Sequence, residues 1–433
     1  MSHRYRALGC AIAAATVLAA CAGPAPDMQG DGPTVITFWS SLRGTQAVVD
    51  EFNRTHPDIQ VDLDMTPSGE AGTNAKLTNA TRAGNAPDVA TADYVTLPSF
   101  AIDGAFMDLT DRIDDGFRAK LVPQAWDQVT FDGRVYAVPI DIEPQILFYR
   151  RDLFEQHGIA VPRTWAEFEQ AARDLKAAAP DTRLSTFFTS SAPHLAGLSM
   201  QVGGRWFSTE GGQWSLDFTD PGTMRVAEYW QRLVDEDLVA VAPINSQQWQ
   251  AGINNGTIAT YINGAWAAAA LMRSNPDGAG KWAAAPLPQW DPARPVVGVT
   301  GGSLFGITRD SRHPDAAMEF LRWMVSDPEA FRARLSSGTS SMYPAAPDLI
   351  SVADEGFDRS YFGGQDIYAL FRREAATVPQ GWVWGPRMTA TNNIIEEGLA
   401  RVRYGHTIAE ALVQGQEESL PDMRALGLAV DAR

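Results

Sequence analysis

The chain has 433 residues, of which 45% are hydrophobic and 20% charged, a balance that is typical of globular proteins. This length predicts two or three domains or lobes. The formal net charge of −17 disfavours partners such as nucleic acid and anionic lipid headgroups.

The N-terminal segment predicts a targeting signal and a tether rather than folded structure. Two arginines precede the apolar stretch ALGCAIAAATVLAA, which is short for a membrane span. The stretch ends in LAAC, and small residues before a cysteine resemble a bacterial lipobox, in which the signal is cut before the cysteine and the thiol receives a lipid. We therefore expect a signal peptide at 1–20, a lipid on Cys21 and a tether over 21–33. An ordinary secretory signal is the alternative.

The same cleavage would remove Cys10 and leave the mature body without a free cysteine. We therefore expect no disulfide framework and no thiol nucleophile. The histidines are scattered, so we expect no metal site and no cofactor.

The first part of the body alternates between strand and helix patterns. TVITFWS (Thr34–Ser40) predicts a buried strand, TQAVVDEFNRTHP a helix, IQVDLDM (Ile59–Met65) a second strand, NAKLTNATRAG a helix and PDVATAD a third strand. This order predicts a parallel sheet with crossover helices. Ligands of such sheets bind outside the carboxyl ends of the strands. The residues at those ends are Trp39, Ser40 and Ser41, then Ser68 and Glu70, then Asp93 and Tyr94.

The rest of the chain keeps mixing the two patterns. Strand patterns occur in ILFYR, ATYING, KWAAAPLP and VGVTGGSLFGIT. Helix patterns occur over residues 164–178, 223–239 and 314–338, and from Tyr361 onward. The fold class is therefore predicted to be α/β.

Several segments recur in a recognisable order: the lipobox and tether, ITFWS, EFNRTHPDIQVDL, NAPDVATAD, FDGRVYAVPIDIEPQILFYRRDLF, YINGAWA, AAPLP and GGSLFGI. Over residues 34–430 the chain resembles the family 1 extracellular solute-binding proteins of sugar ABC importers, the maltose- and glycerophosphodiester-binding group. The resemblance implies a two-lobe periplasmic-binding-protein fold with a hinge and an interlobe ligand cleft. By analogy, lobe 1 comprises 34–139 plus 300–342, and lobe 2 comprises 140–299 plus 343–433.

A sugar presents apolar C–H faces and a rim of hydroxyls, so its site needs aromatic rings together with carboxylates, amides and arginines. The resemblance places a ring-stacking aromatic near GWVWGPRM, which suggests Trp382 or Trp384, and another at Trp266 in NGAW. Each of these tryptophans could instead be a buried core residue, and Asp93 could be a helix N-cap rather than a ligand-binding acid. The predicted ligand-binding set is Trp39, Ser40, Ser41, Arg43, Glu70, Asp93, Tyr94, Asp141, Glu143, Trp266, Gly301, Gly302, Trp382, Trp384 and Arg387.

The expected function is that of a non-enzymatic lipoprotein that captures a neutral oligosaccharide and delivers it to an ABC permease. It would act as a monomer, held outside the cell membrane by the lipid on Cys21. Three other functions remain open. A glycoside hydrolase could use Asp93 with Asp141 or Glu143 as its two catalytic carboxyl groups. A binding protein for a glycerophosphodiester such as glycerophosphocholine could use Arg43 and Arg387 to bind the phosphate. The third alternative is a purely structural surface lipoprotein.

Overall fold

The structure, a computed structural model, describes residues 32–432 apart from residues 68, 69, 337 and 339, and it leaves out the side chains of Glu70 and Ala71. The expected signal peptide, the lipidation site at Cys21 and most of the tether lie outside the described residues. Ser68 and the side chain of Glu70 lie outside them as well.

The described residues contain strands in two groups, with helices packed around each group. The strands are β1 (Thr34–Ser40), β2 (Ile59–Met65), β3 (Val89–Asp93), β4 (Thr130–Phe131), β5 (Arg134–Val135), β6 (Val138–Pro139), β7 (Gln145–Arg150), β8 (Ser185–Phe188), β9 (Phe207–Glu210), β10 (Gln213–Leu216), β11 (Val239–Ala242), β12 (Thr260–Gly264), β13 (Trp282–Ala285), β14 (Ser303–Ile307) and β15 (Val430–Ala432).

The α-helices fill most of the intervals between the strands. They are α1 (Thr45–Thr55), α2 (Ala75–Ala83), α3 (Leu97–Ile102), α4 (Asp115–Arg118), α5 (Pro123–Val129), α6 (Arg151–His157), α7 (Trp165–Ala178), α8 (Ala192–Met200), α9 (Pro221–Asp235), α10 (Gln247–Asn255), α11 (Ala267–Ser274), α12 (Pro314–Ser326), α13 (Pro328–Leu335), α14 (Ile350–Glu355), α15 (Ile367–Ala375), α16 (Met388–Ala400) and α17 (Ile408–Ala425). A π-helical turn, Glu70–Asn74, leads into α2.

Lobe 1 is built on a five-stranded sheet in the order β2-β1-β3-β14-β6. The predicted parallel pairing is confirmed, because β1 runs parallel to both β2 and β3. The later strand β14 runs antiparallel to β3 and to β6. The prediction that β1 is buried was wrong for one face: Ile36 and Phe38 are fully buried, whereas Val35 is 52% exposed. A half-buried strand alternates its side chains between core and solvent in this way.

Lobe 2 is built on the sheets β12-β7-β13 and β11-β8, with a third sheet of β15, β10 and β9. Helices α8, α9, α16 and α17 pack on one another, and α15 packs on β7 and β13. The core of this lobe is rich in aromatic rings; Trp165, for example, lies edge-on to Phe168, Tyr229 and Trp230.

The chain crosses between the two sheet systems on adjacent segments. One crossing joins β6 to β7, and another joins β13 to β14. A single β-bridge, Pro144 to Val299, ties these two segments together, and a second bridge joins Asp141 to Pro344, in the segment that follows α13. The chain is therefore a two-lobe α/β protein whose lobes are linked by closely paired segments.

Among the described residues, no helix is both long enough and apolar enough to cross a bilayer.

Candidate functional site

A cavity of about 640 Å³ lies between the lobes, next to the crossing segments. Its lobe 1 wall follows the carboxyl ends of β1, β2 and β3, as expected for ligands of α/β sheets. Its lobe 2 wall comes from the starts of α8, α11 and α16. The lining includes Leu42, Arg43, Asn74, Asp93, Val95, Thr96, Asp141, Glu143, Ser190, Ser191, Pro193, Ile244, Asn245, Asn263, Trp266, Arg273, Thr300, Gly301, Gly302, Ser303, Met342, Asn392, Asn393 and Glu396.

Trp266 is the partly exposed tryptophan of this lining, and its position is fixed at two points. Its indole Nε1 donates to the carbonyl oxygen of Thr300 at 3.0 Å. Its backbone amide donates to Glu143 Oε2 at 2.7 Å. An aromatic ring held in this way loses little conformational freedom when a ligand packs against it, which suits it to bind an apolar face.

Gly301 and Gly302 form the part of the wall that lies against this indole. Their φ angles are +86° and +106°, which disfavours other residue types. A Cβ atom on Gly301 would come within 2.9 Å of Trp266 Nε1, and one on Gly302 within 2.4 Å of the Tyr94 ring. Glycine is therefore required here for the backbone to reach the cavity between these two rings.

Asp141 and Glu143 are buried carboxyl groups on the segment between β6 and β7, and each is 2% exposed. Asp141 Oδ1 accepts a hydrogen bond from the amide of Ser303 at 2.7 Å, at the start of β14. The two carboxyl groups are hydrogen-bonded to each other. One pair of side chains thus connects the crossing segment to β14 in lobe 1 and, through Trp266, to α11 in lobe 2.

Burial dominates the electrostatics of this pair. It raises the pKa of Asp141 to about 7, although the amide of Ser303 and the charge of Arg334 oppose this. Burial and then the charge of Asp141 raise the pKa of Glu143 well above its ordinary value. Both shifts favour the neutral forms of the pair, and a proton held on Glu143 can be donated to Asp141.

Two buried amide groups of the lining have no hydrogen-bond partner within the described chain, Asn74 Nδ2 and Asn392 Oδ1. Asn74 is 8% exposed and Asn392 is 7% exposed, and they belong to opposite lobes. Unpartnered buried amides are costly, and both residues border the cavity. One offers a donor and the other an acceptor, which matches the two roles of a sugar hydroxyl.

Residues 39–330 match the family of bacterial extracellular solute-binding proteins. The chain belongs to this family. The lactose-binding protein of Rhizobium radiobacter is 25% identical over 394 residues, which cover 86% of this chain and 88% of that protein. The family and this relative are solute-binding proteins rather than enzymes.

Two solved structures extend the similarity to the whole fold. The galacto-N-biose-/lacto-N-biose I-binding protein of a Bifidobacterium longum ABC transporter, in complex with lacto-N-biose, has a TM-score of 0.80 and 26% identity, over 93% of this chain and 100% of that chain. A binding protein associated with an ABC transporter of B. animalis subsp. lactis, in complex with β-1,6-galactobiose, has a TM-score of 0.78 and 25% identity, over 92% and 100%.

The structure of this solute-binding protein brings together about half of the predicted site. The predicted residues that line the cavity are Arg43, Asp93, Asp141, Glu143, Trp266, Gly301 and Gly302. They come from both lobes and from the crossing segments.

The structure does not bring Trp382 and Trp384 to the cavity. They are 5% and 3% exposed and pack against each other among the buried hydrophobic residues, with ring centroids 5.3 Å apart. Gly381, with φ +79°, lets the chain turn before the two tryptophans, and Gly385 after them lies against Phe207 of β9. The core alternative that the sequence left open describes both residues.

The other predicted residues lie beside the cavity rather than in its wall. The ammonium nitrogen of Lys76 lies over the Trp39 ring, 3.8 Å from the ring centroid. Ser40 is fully buried, and its hydroxyl accepts from Thr91 Oγ1 at 3.0 Å and from the Leu42 amide at 3.2 Å. Ser41 is half-buried and lines no part of the cavity. Ser40 therefore braces the strand ends that carry the wall.

Tyr94 and Arg387 hold supporting positions. The Tyr94 hydroxyl donates to the carbonyl oxygen of Asp141 at 2.7 Å, and burial raises the pKa of Tyr94 well above its usual range. Arg387 Nε donates to Asp422 Oδ2 at 3.0 Å, and its side chain lines a neighbouring cavity.

Sequence reasoning missed the asparagines Asn74, Asn263, Asn392 and Asn393 and the charged residues Arg273 and Glu396. Only their positions in the sequence could have indicated these residues. Asn74 follows the second strand, and Asn392 lies in the first turns of a helix after a Gly-Pro pair. The sequence patterns favour aromatic and acidic residues as sugar ligands, and polar amides are common in loops and helix starts for other reasons.

Proposed function

We propose that this protein captures a neutral oligosaccharide between its two lobes and hands it to the membrane permease of an ABC importer. The observation that carries the proposal is the partly exposed Trp266 in the wall of an interlobe cavity, with its indole N–H bonded to the Thr300 carbonyl oxygen and its backbone amide bonded to Glu143. Such a ring suits the apolar face of a sugar. The surrounding Asp93, Asn74 and Asn392 suit its hydroxyls.

The carboxyl groups favour binding over hydrolysis. Glycoside hydrolysis needs two carboxyl groups about 5–10 Å apart that reach the scissile bond, and in the pair considered from the sequence Asp93 would act with Asp141 or Glu143. Asp141 and Glu143 instead interact with each other through their side chains. Both are also buried and committed to backbone amides. We infer that the protein does not cleave its ligand.

The relatives support a sugar as the ligand. The lactose-binding protein and the two solved binding proteins named above all bind oligosaccharides that contain galactose, as their names or bound ligands state. A galactose-containing oligosaccharide is therefore the first substrate class to test. The strongly acidic chain, with a net charge of −17, also favours a neutral ligand over a phosphodiester.

The remaining parts of the proposal concern assembly. The lobes divide as 34–139 plus 300–342 and 140–299 plus 343–433, a division supported by bridges between crossing segments at Asp141–Pro344 and Pro144–Val299. A lipid on Cys21 anchors a monomer to the outer face of the cell membrane.

A thermal-shift screen of the purified protein tests the function. The panel holds mono- and oligosaccharides, including galactobiose and lactose, together with glycerophosphocholine. A ligand that binds only the folded state raises the melting temperature, so we expect a rise with one oligosaccharide series. A rise with glycerophosphocholine alone would contradict the proposal, and product analysis of the incubated sugar would reveal hydrolysis.

A further inference from the structure

A second large cavity lies on lobe 2, and it is called the edge groove from here on. It has a volume of about 590 Å³ and is lined by every residue of β11. Its other walls come from the end of α9, from α10 and from residues 402 and 403. Among the described residues it shares no lining residue with the interlobe cavity. The proposed sugar site therefore does not account for it.

Strand β11 leaves one of its two edges without a neighbouring strand. Within the described chain its strand partner is β8, which runs parallel to it. The Thr189 amide donates to the carbonyl oxygen of Ala242 at 3.1 Å, so Ala242 directs its carbonyl group toward the β8 side. Alternate residues of a parallel strand direct their N–H and C=O groups to opposite edges. The main-chain groups of Val239 and Val241 therefore face the free edge.

The edge groove lies at this free edge, because helices from both faces of the sheet border it. Phe187 and Phe188 of β8 point to opposite faces. Phe187 contacts Trp230 of α9, whereas Phe188 contacts Trp249 of α10. Both helices line the groove, and no described residue of β8 does. A cavity bounded by β11 and by helices from both faces lies at the end of the sheet.

The sequence of β11 contains none of the residues that usually prevent an edge strand from pairing. Natural edges are commonly protected by charged side chains or by proline, whereas β11 consists of VAVA. Its two middle residues are partly exposed. Four residues are too few to start an open-ended stack of strands, but they are enough to pair with one short segment.

A buried indole also borders the edge groove. Trp249 is 3% exposed, and its Nε1 has no hydrogen-bond partner within the described chain. An unpaired buried N–H group is costly. Together with the free edge of β11, this donor favours a ligand that carries peptide carbonyl groups.

The charges around the edge groove favour a cationic segment and disfavour a second copy of this chain. Arg183 donates twice to Asp237, at 2.9 and 2.5 Å, so these two charges offset each other. The other charged residues of the described lining are Asp181, Asp235 and Arg403, which leaves an excess of one carboxylate. A second copy would bring a net charge of −17 to this surface, which opposes association.

The carboxylates are grouped at one end of the edge groove. Asp235 and Asp237 lie in the segment that leads into β11, and Asp181 lies in the segment that leads into β8. Because the two strands are parallel, their starts lie at the same end of the sheet. Asp181 and Asp235 are exposed and form no ion pair within the described chain. A cation on a bound segment is therefore expected beside the start of β11.

We propose that the edge groove binds an extended segment of another protein, which pairs its backbone with Val239 and Val241 and places a lysine or arginine beside Asp181 and Asp235. The segment adds a strand to lobe 2. Its main-chain hydrogen bonds supply the affinity, and the carboxylates supply the preference for a cation. This interaction is separate from sugar capture, so it is expected with and without sugar.

NMR titration of the purified, ¹⁵N-labelled protein with short peptides tests this surface. The probe peptide alternates lysine and valine over six residues, and the matched peptide has glutamate in place of each lysine. The indole N–H resonance of Trp249, assigned with Trp249→Phe, should shift progressively with the lysine peptide and give its Kd. The glutamate peptide should leave this resonance in place.

Val241→Pro tests the main-chain pairing. It removes one N–H group from the free edge, where proline is compatible with a strand. The Kd of the lysine peptide should rise at least about fivefold, as expected for the loss of one hydrogen bond. Val241→Thr keeps both the N–H group and the β-branched side chain, so it should bind like the wild type. Both variants should keep the wild-type sugar affinity.

Asp181→Lys tests the preference for a cation. Reversal of this charge should raise the Kd of the lysine peptide at least about fivefold. Asp58→Lys is the control, because it changes the net charge equally at an exposed position of lobe 1 that does not line the groove. The control should keep the wild-type Kd.

Several outcomes would overturn the proposal while leaving sugar binding untouched. One is a Trp249 resonance that does not respond to the lysine peptide, and another is equal binding of the glutamate peptide. Wild-type Kd in a folded Val241→Pro variant would exclude pairing with the edge. If Asp181→Lys and Asp58→Lys weaken binding equally, the peptide is held by the overall charge of the protein rather than by the edge groove.

Discussion

At the scale of single residues, the tryptophans of this protein differ in the contacts that fix their side chains. Trp266 and Trp384 both lie in or next to loops at helix starts, and sequence reasoning gave them the same role. Trp266 is pinned by the Thr300 carbonyl oxygen and Glu143 while its ring borders the cavity. Trp384 is 3% exposed and packs on Trp382. The two residues should therefore respond oppositely to mutation.

Trp266→Ala should weaken sugar binding by roughly 1–3 kcal/mol, because it removes a buried aromatic contact with the ligand. Calorimetric titration with the sugar that emerges from the thermal-shift screen measures the change. Trp290→Ala is the control, since Trp290 is also partly buried but lies outside the cavity. Unchanged affinity in a folded Trp266→Ala variant would remove this residue from the site.

Trp384→Ala should instead destabilise the fold by about 3–5 kcal/mol, the usual cost of truncating a buried aromatic residue. Urea unfolding without ligand measures this loss. The affinity of the folded fraction should stay close to that of the wild type. A variant with normal stability and weakened sugar binding would show that the indole reaches the ligand after all.

At the scale of elements, the turn from β2 to α2 positions the cavity wall through one close approach. Gly72 has φ −102° and ψ −113°, which breaks the helical course of the π-turn. A Cβ atom there would lie 2.1 Å from the carbonyl oxygen of Pro67, which accepts both hydrogen bonds from Thr73. The backbone must therefore move to accept any other residue, and Asn74 would move with it.

Gly72→Ala should lower sugar affinity by about tenfold, which corresponds to about 1.4 kcal/mol, and lower the melting temperature as well. The reason is that the new Cβ atom would displace the Pro67 carbonyl oxygen, and Asn74, which follows this turn, would move with it. Gly116→Ala is the control, because Gly116 lies in α4 and its Cβ would meet only an Asp114 carboxylate oxygen at 3.1 Å. Wild-type affinity in Gly72→Ala would mean that the turn adapts without moving the wall.

At the scale of the whole molecule, a buried acidic pair lies where the lobes join. Asp141 binds the Ser303 amide in lobe 1, and Glu143 binds the Trp266 amide in lobe 2. The fully buried Arg334 of α13 favours the charged form of Asp141, and burial lowers the pKa of Arg334 to about 10, so it stays cationic at neutral pH. Stability should therefore depend on pH through this junction.

The sign of that dependence follows from the raised pKa. Between about pH 4, where an aspartate titrates in an unfolded chain, and the folded pKa of about 7, folded Asp141 holds a proton that the unfolded chain releases. The free energy of unfolding relative to Asp141→Asn should therefore fall as pH rises across this window, by up to about 1.4 kcal/mol for each unit.

Urea unfolding of the wild type and Asp141→Asn at several pH values measures this difference. The comparison cancels the contribution of His194, whose pKa burial lowers to about 4 and which acts in the opposite direction. A difference that stays constant with pH would show that Asp141 is ionised throughout.

The order of elements could be read from the sequence, because it depends on short-range periodicity. The strands at Thr34–Ser40 and Ile59–Met65 and the helix at residues 164–178 appear close to where the pattern predicted them. The strand ends that carry Asp93 and Arg43 could also be assigned to the cavity. The reason is that parallel strands bring their carboxyl ends to one edge of a sheet whatever the rest of the chain does.

What only the tertiary structure decided was the direction in which individual side chains point. The burial of Trp382 and Trp384, the pairing of Asp141 with Glu143 and the unpartnered amide of Asn74 all depend on contacts between distant segments. The antiparallel course of β14 likewise depends on a crossing from lobe 2. Local sequence places a residue on an element, but the packing of one element against another determines whether that residue faces the core or the cleft.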